Sequence, residues 1–257
     1  FWVKNNYKKK KIKKIKNKEK LLKFRKSFSE FKSLSFPTIS GSGPNGAIIH
    51  YNASKKNARI LRRGDIYLVD SGGQYEFGTT DVTRTITLGK QSKEIKKIFT
   101  RVLKGHIAVA NTNLKKYSNG KQIDILARKN LKKVGLDYGH GTGHGVGFFS
   151  NVHEGPQAIS KFNKIKICEG MIISNEPGFY KKGKFGIRIE NLVYVKKVNK
   201  KLIFENLTLA PIEKELINFK LLNSTEKDYL FKYHLLVYEK LSKYLNKNEK
   251  KWLASII

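Results

Sequence analysis

The chain is short of cysteine, of acidic residues and of long apolar runs. Its single cysteine, Cys168, excludes an intrachain disulfide framework and fits a reducing compartment, so we expect a cytoplasmic location. No apolar run reaches the roughly 18 residues that a membrane-spanning helix needs, so no membrane association is expected. The basic N-terminus is not followed by the apolar core of a signal peptide.

Methionine is almost absent as well. Met171 is the only one, and the chain begins at Phe1. We therefore expect a processed or truncated product with further sequence upstream. The 257 residues are enough for one large domain or two small ones, and a hydrophobic content of 39% is enough for a substantial core.

The scarcity of acids leaves a large positive charge. With 53 Lys and Arg against 20 Asp and Glu, the formal net charge is +33. Such a surface attracts phosphate, which makes nucleic acid the first partner to consider. However, the excess is spread along the whole chain and no nucleic-acid-binding motif accompanies it. We interpret it as compositional drift on solvated faces and regard nucleic-acid binding as the weaker alternative.

The chain divides into a lysine-rich start and a folded remainder. Like-charge repulsion predicts that residues 1–17 form a frayed, flexible arm, whereas 18–257 form one domain. Periodicity and β-prone composition predict the secondary structure of this domain. The predicted helices cover 18–32, 92–111, 119–134 and 224–247, and the predicted strands cover 65–70, 81–88, 171–176, 187–195 and 202–210. This mixture lacks a regular βαβ alternation and therefore indicates an α+β fold.

Four carboxylates occupy unusual positions at the ends of apolar strands. Asp70 and Asp81 flank one glycine-containing turn, Glu176 and Glu190 flank another, and His144 falls between the two pairs. Each acid taken alone is more simply a turn cap or a solvated strand end. Together, hairpins could bring all five side chains to one point, where buried carboxylates need a positive partner. The pattern predicts two divalent metal ions in a centre that activates water, and two similar halves that meet there.

The segment GHGTGHGVG, residues 139–147, contains His140 and His144. Its glycines exclude an ordinary helix and allow the backbone to approach a ligand closely. It matches neither the dinucleotide fingerprint, nor the HExxH motif, nor a Walker loop. His50 and His153, each considered alone, are more simply core or loop histidines.

Several segments together resemble a known family. SFPTISGSGPNGAIIHYN, DIYLVDSGGQY, LDYGHGTGHGVGFFSNVHEGP and NEPGFY are similar to the catalytic domain of Xaa-Pro aminopeptidase in its larger, eukaryotic-type form. The likeness runs in order from about residue 20 to the C-terminus. It implies the pita-bread fold, in which two related αβ halves enclose a dinuclear metal site that usually holds manganese.

The resemblance also assigns the five metal ligands. Asp81 and Glu190 would bridge the two ions. Asp70 would complete the coordination shell of one ion, while His144 and Glu176 would complete that of the other.

The same likeness assigns catalytic and substrate-binding roles. The family removes the N-terminal residue from peptides whose second residue is proline, through a hydroxide that bridges the metals. Glu176 would handle its proton. His140 and His153 would act near the scissile bond, and both would bind substrate together with His50. Arg188 would orient the carboxylate ligands, the alternative being a surface salt bridge.

Other functions remain open at this stage. The same fold also serves Xaa-Pro dipeptidases and methionine aminopeptidases, although the GPNGAIIHY and HGTGHGVG segments favour aminopeptidase P. A non-catalytic scaffold that binds nucleic acid or histones is the alternative from another class, but such relatives usually lose metal ligands. The resemblance further suggests a homodimer.

Overall fold

The computed structural model describes residues 1–7, 14–51 and 59–256, which form antiparallel hairpins with helices packed against them. The helices are α1 (Trp2–Asn6), α2 (Lys14–Arg25), α3 (Lys93–Ala110), α4 (Gly120–Lys132), α5 (Ser224–Leu241) and α6 (Lys247–Ser255). The strands are β1 (Phe31–Leu34), β2 (Ile39–Ser42), β3 (Ile66–Ser71), β4 (Gly73–Tyr75), β5 (Gly78–Thr79), β6 (Val82–Thr87), β7 (Gly143–His144), β8 (Ala158–Ile159), β9 (Ile172–Asn175), β10 (Gly178–Lys181), β11 (Phe185–Arg188), β12 (Asn191–Val198) and β13 (Lys201–Asn206). Short 3₁₀ helices cover Gly43–Ala47, Lys214–Leu216, Phe219–Leu221 and Ser242–Tyr244.

Two three-stranded antiparallel sheets carry the four acids. One has the order β2-β3-β6 and the other the order β13-β12-β9. In the first sheet, Asp70 is the penultimate residue of β3 and Asp81 directly precedes β6. In the second, Glu176 directly follows β9 and Glu190 directly precedes β12. The predicted repetition of a carboxylate pair on two hairpins is therefore confirmed.

The residues that lead into β12 are hydrogen-bonded to β6 of the first sheet. The backbone N–H of Glu190 donates to the carbonyl of Thr83 at 3.2 Å, and that of Arg188 donates to Thr85 Oγ1 at 3.0 Å. These contacts bring the acid-bearing ends of both sheets together.

Helices α3 and α4 confirm the predicted helices over 92–111 and 119–134. The side chain of Ser92 accepts the N–H of Ile95 and caps α3, and Asn119 caps α4 by accepting from Gln122. Such caps satisfy backbone N–H groups that have no partner within the helix. The buried face of α3 joins the largest apolar cluster, which also takes residues from β10, β11 and α5.

Several of the predicted elements have different bounds, and the strand predicted over 202–210 ends at Asn206. Helix α2 ends at Arg25 instead of continuing to residue 32, because Phe31 begins a strand that pairs with Tyr75 of β4. Phe24 and Phe28, whose spacing contributed to the predicted helix, are exposed. The predicted strand 187–195 is two strands separated by a turn, and the predicted helix 224–247 ends at Leu241. At Phe31, strand pairing outweighs the local helical spacing.

The first seven residues differ from the frayed arm that the sequence predicts. Trp2–Asn6 is helical, and Lys4 Nζ lies 2.7 Å from a carboxylate oxygen of Glu213. The apolar side chains Trp2, Val3 and Tyr7 pack on Leu61, Tyr67 and Leu88. Burial of these side chains explains why this segment is ordered. Residues 8–13 lie outside the described residues, and the division at residue 17 stays a prediction.

Among the described residues, no helix combines the length and the apolar character that crossing a bilayer requires.

Candidate metal centre

Every site residue predicted from the sequence lines one cavity, which has a volume of about 510 Å³. These residues are Asp70, Asp81, His144, Glu176, Glu190, His50, His140, His153 and Arg188. The fold therefore brings together side chains that are up to 140 positions apart in the chain.

Three of the expected ligands converge closely. Asp81, His144 and Glu190 each offer one ligand atom, and these atoms lie within 4.8 Å of one another. Glu176 adjoins them, since its Oε1 is 3.3 Å from His144 Nε2. Asp70 is held slightly apart by Arg188, whose Nη2 donates to Asp70 Oδ2 at 2.6 Å.

The imidazole of His144 is oriented as a metal ligand would be. Its Nδ1 lies 2.9 Å from the carbonyl oxygen of Gly145, which can only accept, so Nδ1 carries the proton. The Nε2 lone pair then faces Asp81 Oδ2 at 3.5 Å and Glu176 Oε1 at 3.3 Å. A lone pair and two carboxylate oxygens repel one another, and a cation between them removes the repulsion.

Two buried carboxylate oxygens also need a partner. Asp70 Oδ1 and Asp81 Oδ1 have no hydrogen-bond donor among the described residues. A buried acceptor without a partner costs roughly 1–3 kcal/mol, and more when it is charged. An oxygen-rich donor set with one imidazole suits Mn²⁺, Co²⁺ or Fe²⁺, so the residues present fit divalent metal ions.

The electrostatics agree with this reading. Burial raises the pKa of Asp81 well above its usual range, and the neighbouring charges of Asp70 and Glu176 raise it further. Burial likewise raises the pKa of Glu190 well above its usual range, followed by the charge of Asp81. Burial raises the pKa of Glu176 above its usual value, although the charge of Arg188 acts in the opposite direction. A bound cation would stabilise the ionised forms of all these groups.

Arg188 lies behind the acids and is not a surface group. It is buried, binds Asp70 and places its Nε 3.9 Å from Glu176 Oε2. Its Nη1 donates to the hydroxyl of Tyr180 at 2.6 Å. Arg188 ends β11, whereas Glu190 lies in the turn beyond, so the two share the cavity but not a strand.

His140 is held as a neutral imidazole. Its Nδ1 donates to the carbonyl of Gly141 at 2.7 Å, which leaves Nε2 as the acceptor of the Tyr180 hydroxyl at 2.9 Å. Burial and the charge of Arg188 lower the pKa of His140 to about 4.

His50 and His153 are exposed at the same cavity. The ring of His153 lies against that of His144, with centroids 4.0 Å apart. Its pKa is lowered by partial burial and by His144.

Sequence reasoning missed three polar residues of the site. Thr83 Oγ1 donates to Glu190 Oε2 at 2.7 Å, and Ser174 Oγ donates to Glu176 Oε1 at 3.0 Å. The hydroxyl of Tyr180 is hydrogen-bonded to both His140 and Arg188. Strand register could have found Thr83, which pairs with Asp70, because both residues sit on neighbouring strands of one hairpin.

Apolar side chains line the same cavity as the charged groups and form an apolar wall. It is formed by Phe36, Pro37, Ile39, Ile49, Tyr51 and Val152.

Family models match nearly the whole chain. Residues 2–197 match metallopeptidase family M24, and residues 200–256 match the C-terminal region of peptidase M24. The chain belongs to metallopeptidase family M24.

Curated M24 relatives are considerably longer than this chain. A protein of Laccaria bicolor named probable Xaa-Pro aminopeptidase P is 48% identical over 235 residues, which is 87% of this chain and 37% of that protein. Xaa-Pro aminopeptidase 1 of Dictyostelium discoideum is 46% identical over 252 residues, which is 93% of this chain and 40% of that protein. The chain thus spans about two fifths of the length of these relatives.

Solved M24 structures confirm the predicted pita-bread α+β fold. An X-prolyl aminopeptidase from Caenorhabditis elegans, described as a cytosolic enzyme with a di-nuclear active site, matches with a TM-score of 0.91 and 36% identity, over 99% of this chain and 44% of that one. A prolidase from Pyrococcus furiosus matches with a TM-score of 0.68 and 29% identity, over 76% of this chain and 55% of that one.

Proposed function

We propose that this chain is the catalytic part of a metal-dependent aminopeptidase that hydrolyses the bond between an N-terminal residue and a following proline. The carrying observation is the convergence of Asp81, His144 and Glu190, with the lone pair of His144 Nε2 directed at carboxylate oxygens. The similarity to Xaa-Pro aminopeptidases over most of the chain supports the same activity.

The competing functions have less support. A dipeptidase is the nearer rival, but the prolidase from P. furiosus is less similar in structure than the C. elegans aminopeptidase, with TM-scores of 0.68 and 0.91. For a scaffold that binds nucleic acid or histones, the net charge of +33 is the only support.

Asp70, Asp81, His144, Glu176 and Glu190 would hold two divalent ions. We propose Mn²⁺, which the oxygen-rich donor set suits and which the family resemblance implies. When bound, such a pair of ions supplies a water of lowered pKa and stabilises negative charge on the substrate carbonyl. Arg188 and Thr83 would keep the ligands in place by hydrogen bonding.

Protein groups would carry the proton and hold the peptide. Hydrolysis breaks the C–N bond, so the proline nitrogen, which carries no hydrogen in the peptide, must gain a proton as it leaves. Glu176 would carry it, as the family resemblance implies, because its carboxylate lines the cavity beside His144. His153 and His50 are accessible to the substrate at the cavity. His140, which is neutral and already accepts from Tyr180, would contribute by hydrogen bonding and positioning.

The shape of the cavity also suits a proline-containing peptide. The apolar wall would accept the pyrrolidine ring, since burying its carbon atoms is favourable. The carboxylates of the same cavity would attract the positively charged N-terminus of the peptide.

A cytosolic location and a homodimer complete the proposal. The single cysteine and the description of the C. elegans relative as cytosolic support the location. The homodimer rests on the family resemblance alone, and light scattering during gel filtration would test it.

Hydrolysis of an Arg-Pro-Pro peptide by the purified, Mn²⁺-loaded protein tests the function. We expect release of free arginine, and the variant Asp81→Asn should lose at least about 100-fold in kcat/KM, because even residues behind metal ligands often contribute 10–100-fold. Asp228→Asn, an exposed carboxylate paired with Lys232, is the matched control and should behave as the parent.

The outcomes separate the candidate functions. Absence of bound metal together with absence of released arginine would contradict the enzyme proposal. Cleavage of Arg-Pro but not of Arg-Pro-Pro would favour a dipeptidase. Retention of DNA or histones without any hydrolysis would favour a scaffold.

A further inference from the structure

A buried ion pair on α4 lies next to the cavity but outside its lining. Arg128 and Asp124 are four residues apart on one helix face, with 7% and 1% of their surfaces exposed. Arg128 Nε donates to Asp124 Oδ2 at 2.8 Å. A buried pair of this kind is weak evidence for stability, so the use of its remaining hydrogen bonds is the informative question.

The remaining N–H groups of Arg128 donate to the segment Asp137–Thr142. Nη1 donates at 2.7 Å to both Asp137 Oδ1 and the carbonyl of Tyr138. Nη2 donates to the carbonyl of His140 at 2.6 Å. The group also lies over the ring of Tyr138, 3.9 Å from its centre. All three nitrogens are therefore used, in a planar arrangement that a lysine cannot reproduce.

Asp124 holds the other end of the same segment. Its Oδ1 accepts from the hydroxyl of Thr142 at 2.6 Å, and that hydroxyl also bonds the hydroxyl of Tyr138. The carbonyl of Thr142 accepts the backbone N–H of Glu176 at 2.8 Å. Residues 137–142 contain no helix and no strand, so these side-chain contacts replace the hydrogen bonds that regular structure would supply.

We propose that the Asp124–Arg128 pair positions His140 for the reaction by fixing the backbone of the segment Asp137–Thr142. The pair acts through His140. Arg128 binds the carbonyl of His140 directly, and the imidazole ring of His140 is hydrogen-bonded to the hydroxyl of Tyr180. It touches none of the five side chains expected to hold metal. The inference rests on the proposed function, in which His140 contributes to peptide hydrolysis.

The variant Arg128→Lys keeps the charge but loses the planar set of donors. We expect kcat/KM for Arg-Pro-Pro to fall by about 10–100-fold, the range typical of residues that orient functional side chains, while the bound metal per chain is unchanged. Arg101→Lys is the matched control. Arg101 also donates to a carbonyl of α4, that of Asn130, but does not contact the segment. It should retain the parent kcat/KM.

A double-mutant cycle distinguishes positioning from general destabilisation. If Arg128 acts through His140, adding Arg128→Lys to His140→Ala costs little more than His140→Ala alone. Additive losses, or a kcat/KM of Arg128→Lys within twofold of the parent, would overturn the inference. Asp124→Asn, which keeps the side-chain shape, takes the place of Arg128→Lys if that variant does not fold.

An NMR titration of the His140 ring decides the inference without relying on activity. The His140 signal is assigned by its absence in His140→Ala. In the parent its pKa should be depressed, and in Arg128→Lys it should move toward the ordinary value near 6.5, because a displaced ring loses its buried setting. An unchanged titration in Arg128→Lys contradicts the inference. A parent that fails to hydrolyse the peptide contradicts the proposed function, and the titration still reports on the pair.

Discussion

Asp81 and Glu190 are buried carboxylate residues, with only 4% and 1% of their surfaces exposed. Acids are rarely buried to this extent unless they are paired or bind metal. Glu190 has a hydroxyl donor in Thr83, whereas Asp81 Oδ1 has no donor among the described residues. The chemistry of Asp81 therefore requires a partner that the described part of the chain does not supply.

Another buried titratable residue controls stability instead of chemistry. His234 Nε2 accepts the backbone N–H of Ile212 at 3.0 Å, which requires an unprotonated nitrogen. Burial, followed by the charge of Arg84, lowers the pKa of His234 to about 4. In the unfolded chain the pKa is about 6.5.

Stability should accordingly decrease as the pH falls from about 6.5 to about 4. In this window the unfolded state binds a proton that folded His234 does not, so the free energy of unfolding falls by at most about 1.4 kcal/mol per pH unit. Urea unfolding at pH 7, 6 and 5, with metal chelated throughout, measures the slope. His234→Gln keeps an acceptor but cannot titrate, and should have the shallower slope. Equal slopes in the two proteins would contradict the assignment.

At the level of elements, the glycine-rich segment lets β7 lie against β9. A Cβ atom on Gly143 would lie 1.8 Å from the carbonyl oxygen of Ser174 on β9, whereas one on Gly139 would meet nothing within 4 Å. His144, the other residue of β7, donates its N–H to Ser174 Oγ. The glycine at 143 is thus a requirement of backbone packing beside a metal-facing histidine, and the glycine at 139 is not.

Gly143→Ala should separate β7 from β9 and displace His144. We expect a loss of about 1–3 kcal/mol in the free energy of unfolding, as for overpacked interiors, together with weaker Mn²⁺ binding. Gly139→Ala, in the same segment, should change the unfolding free energy by no more than about 0.5 kcal/mol. Urea unfolding and isothermal titration with Mn²⁺ measure both effects. Equal behaviour of the two variants would count against the role given to Gly143.

At the scale of the whole molecule, Arg84 connects the metal centre to the C-terminal region. It is buried, and none of the ion pairs among the described residues includes it. Its guanidinium group donates to backbone carbonyls of Thr83, Glu190, Ala210 and Pro211 and to the side chains of Asn191 and Tyr233. One side chain therefore joins β6, the start of β12 and helix α5.

Arg84→Met should destabilise the fold more than any single hydrogen bond would. It leaves the carbonyls of Glu190 and Pro211 without a donor among the described residues, at about 1–3 kcal/mol for each group that water cannot reach. It also removes the bonds to Thr83, Asn191, Ala210 and Tyr233, so we expect a loss of at least about 3 kcal/mol. Arg101→Met removes one hydrogen bond to a helix carbonyl and should cost about 1 kcal/mol. Thermal and urea unfolding compare the two variants. A loss for Arg84→Met no larger than that for Arg101→Met would contradict the role of Arg84 as a connection.

The sequence alone indicated the candidate metal-binding residues and several of the longer regular elements. Asp70, Asp81, Glu176 and Glu190 could be recognised because acids seldom end apolar strands, and α3 and α4 because a helix repeats its apolar face every 3.6 residues. Local patterns were misleading where a partner distant in the chain decides the structure. Phe31 pairs with Tyr75 in a strand although its spacing fits a helix, and the arm at Trp2–Asn6 is ordered by packing on Tyr67.

Only the tertiary structure decided how the side chains of the site support one another. The links from Arg188 to Asp70 and Tyr180, and from Arg128 to His140, join residues on different elements. Their geometry depends on how sheets and helices pack, which no local period encodes. Residue types and spacing determined which groups could bind metal. The approach of the two sheets determined which atoms face each other and which buried oxygens lack a partner.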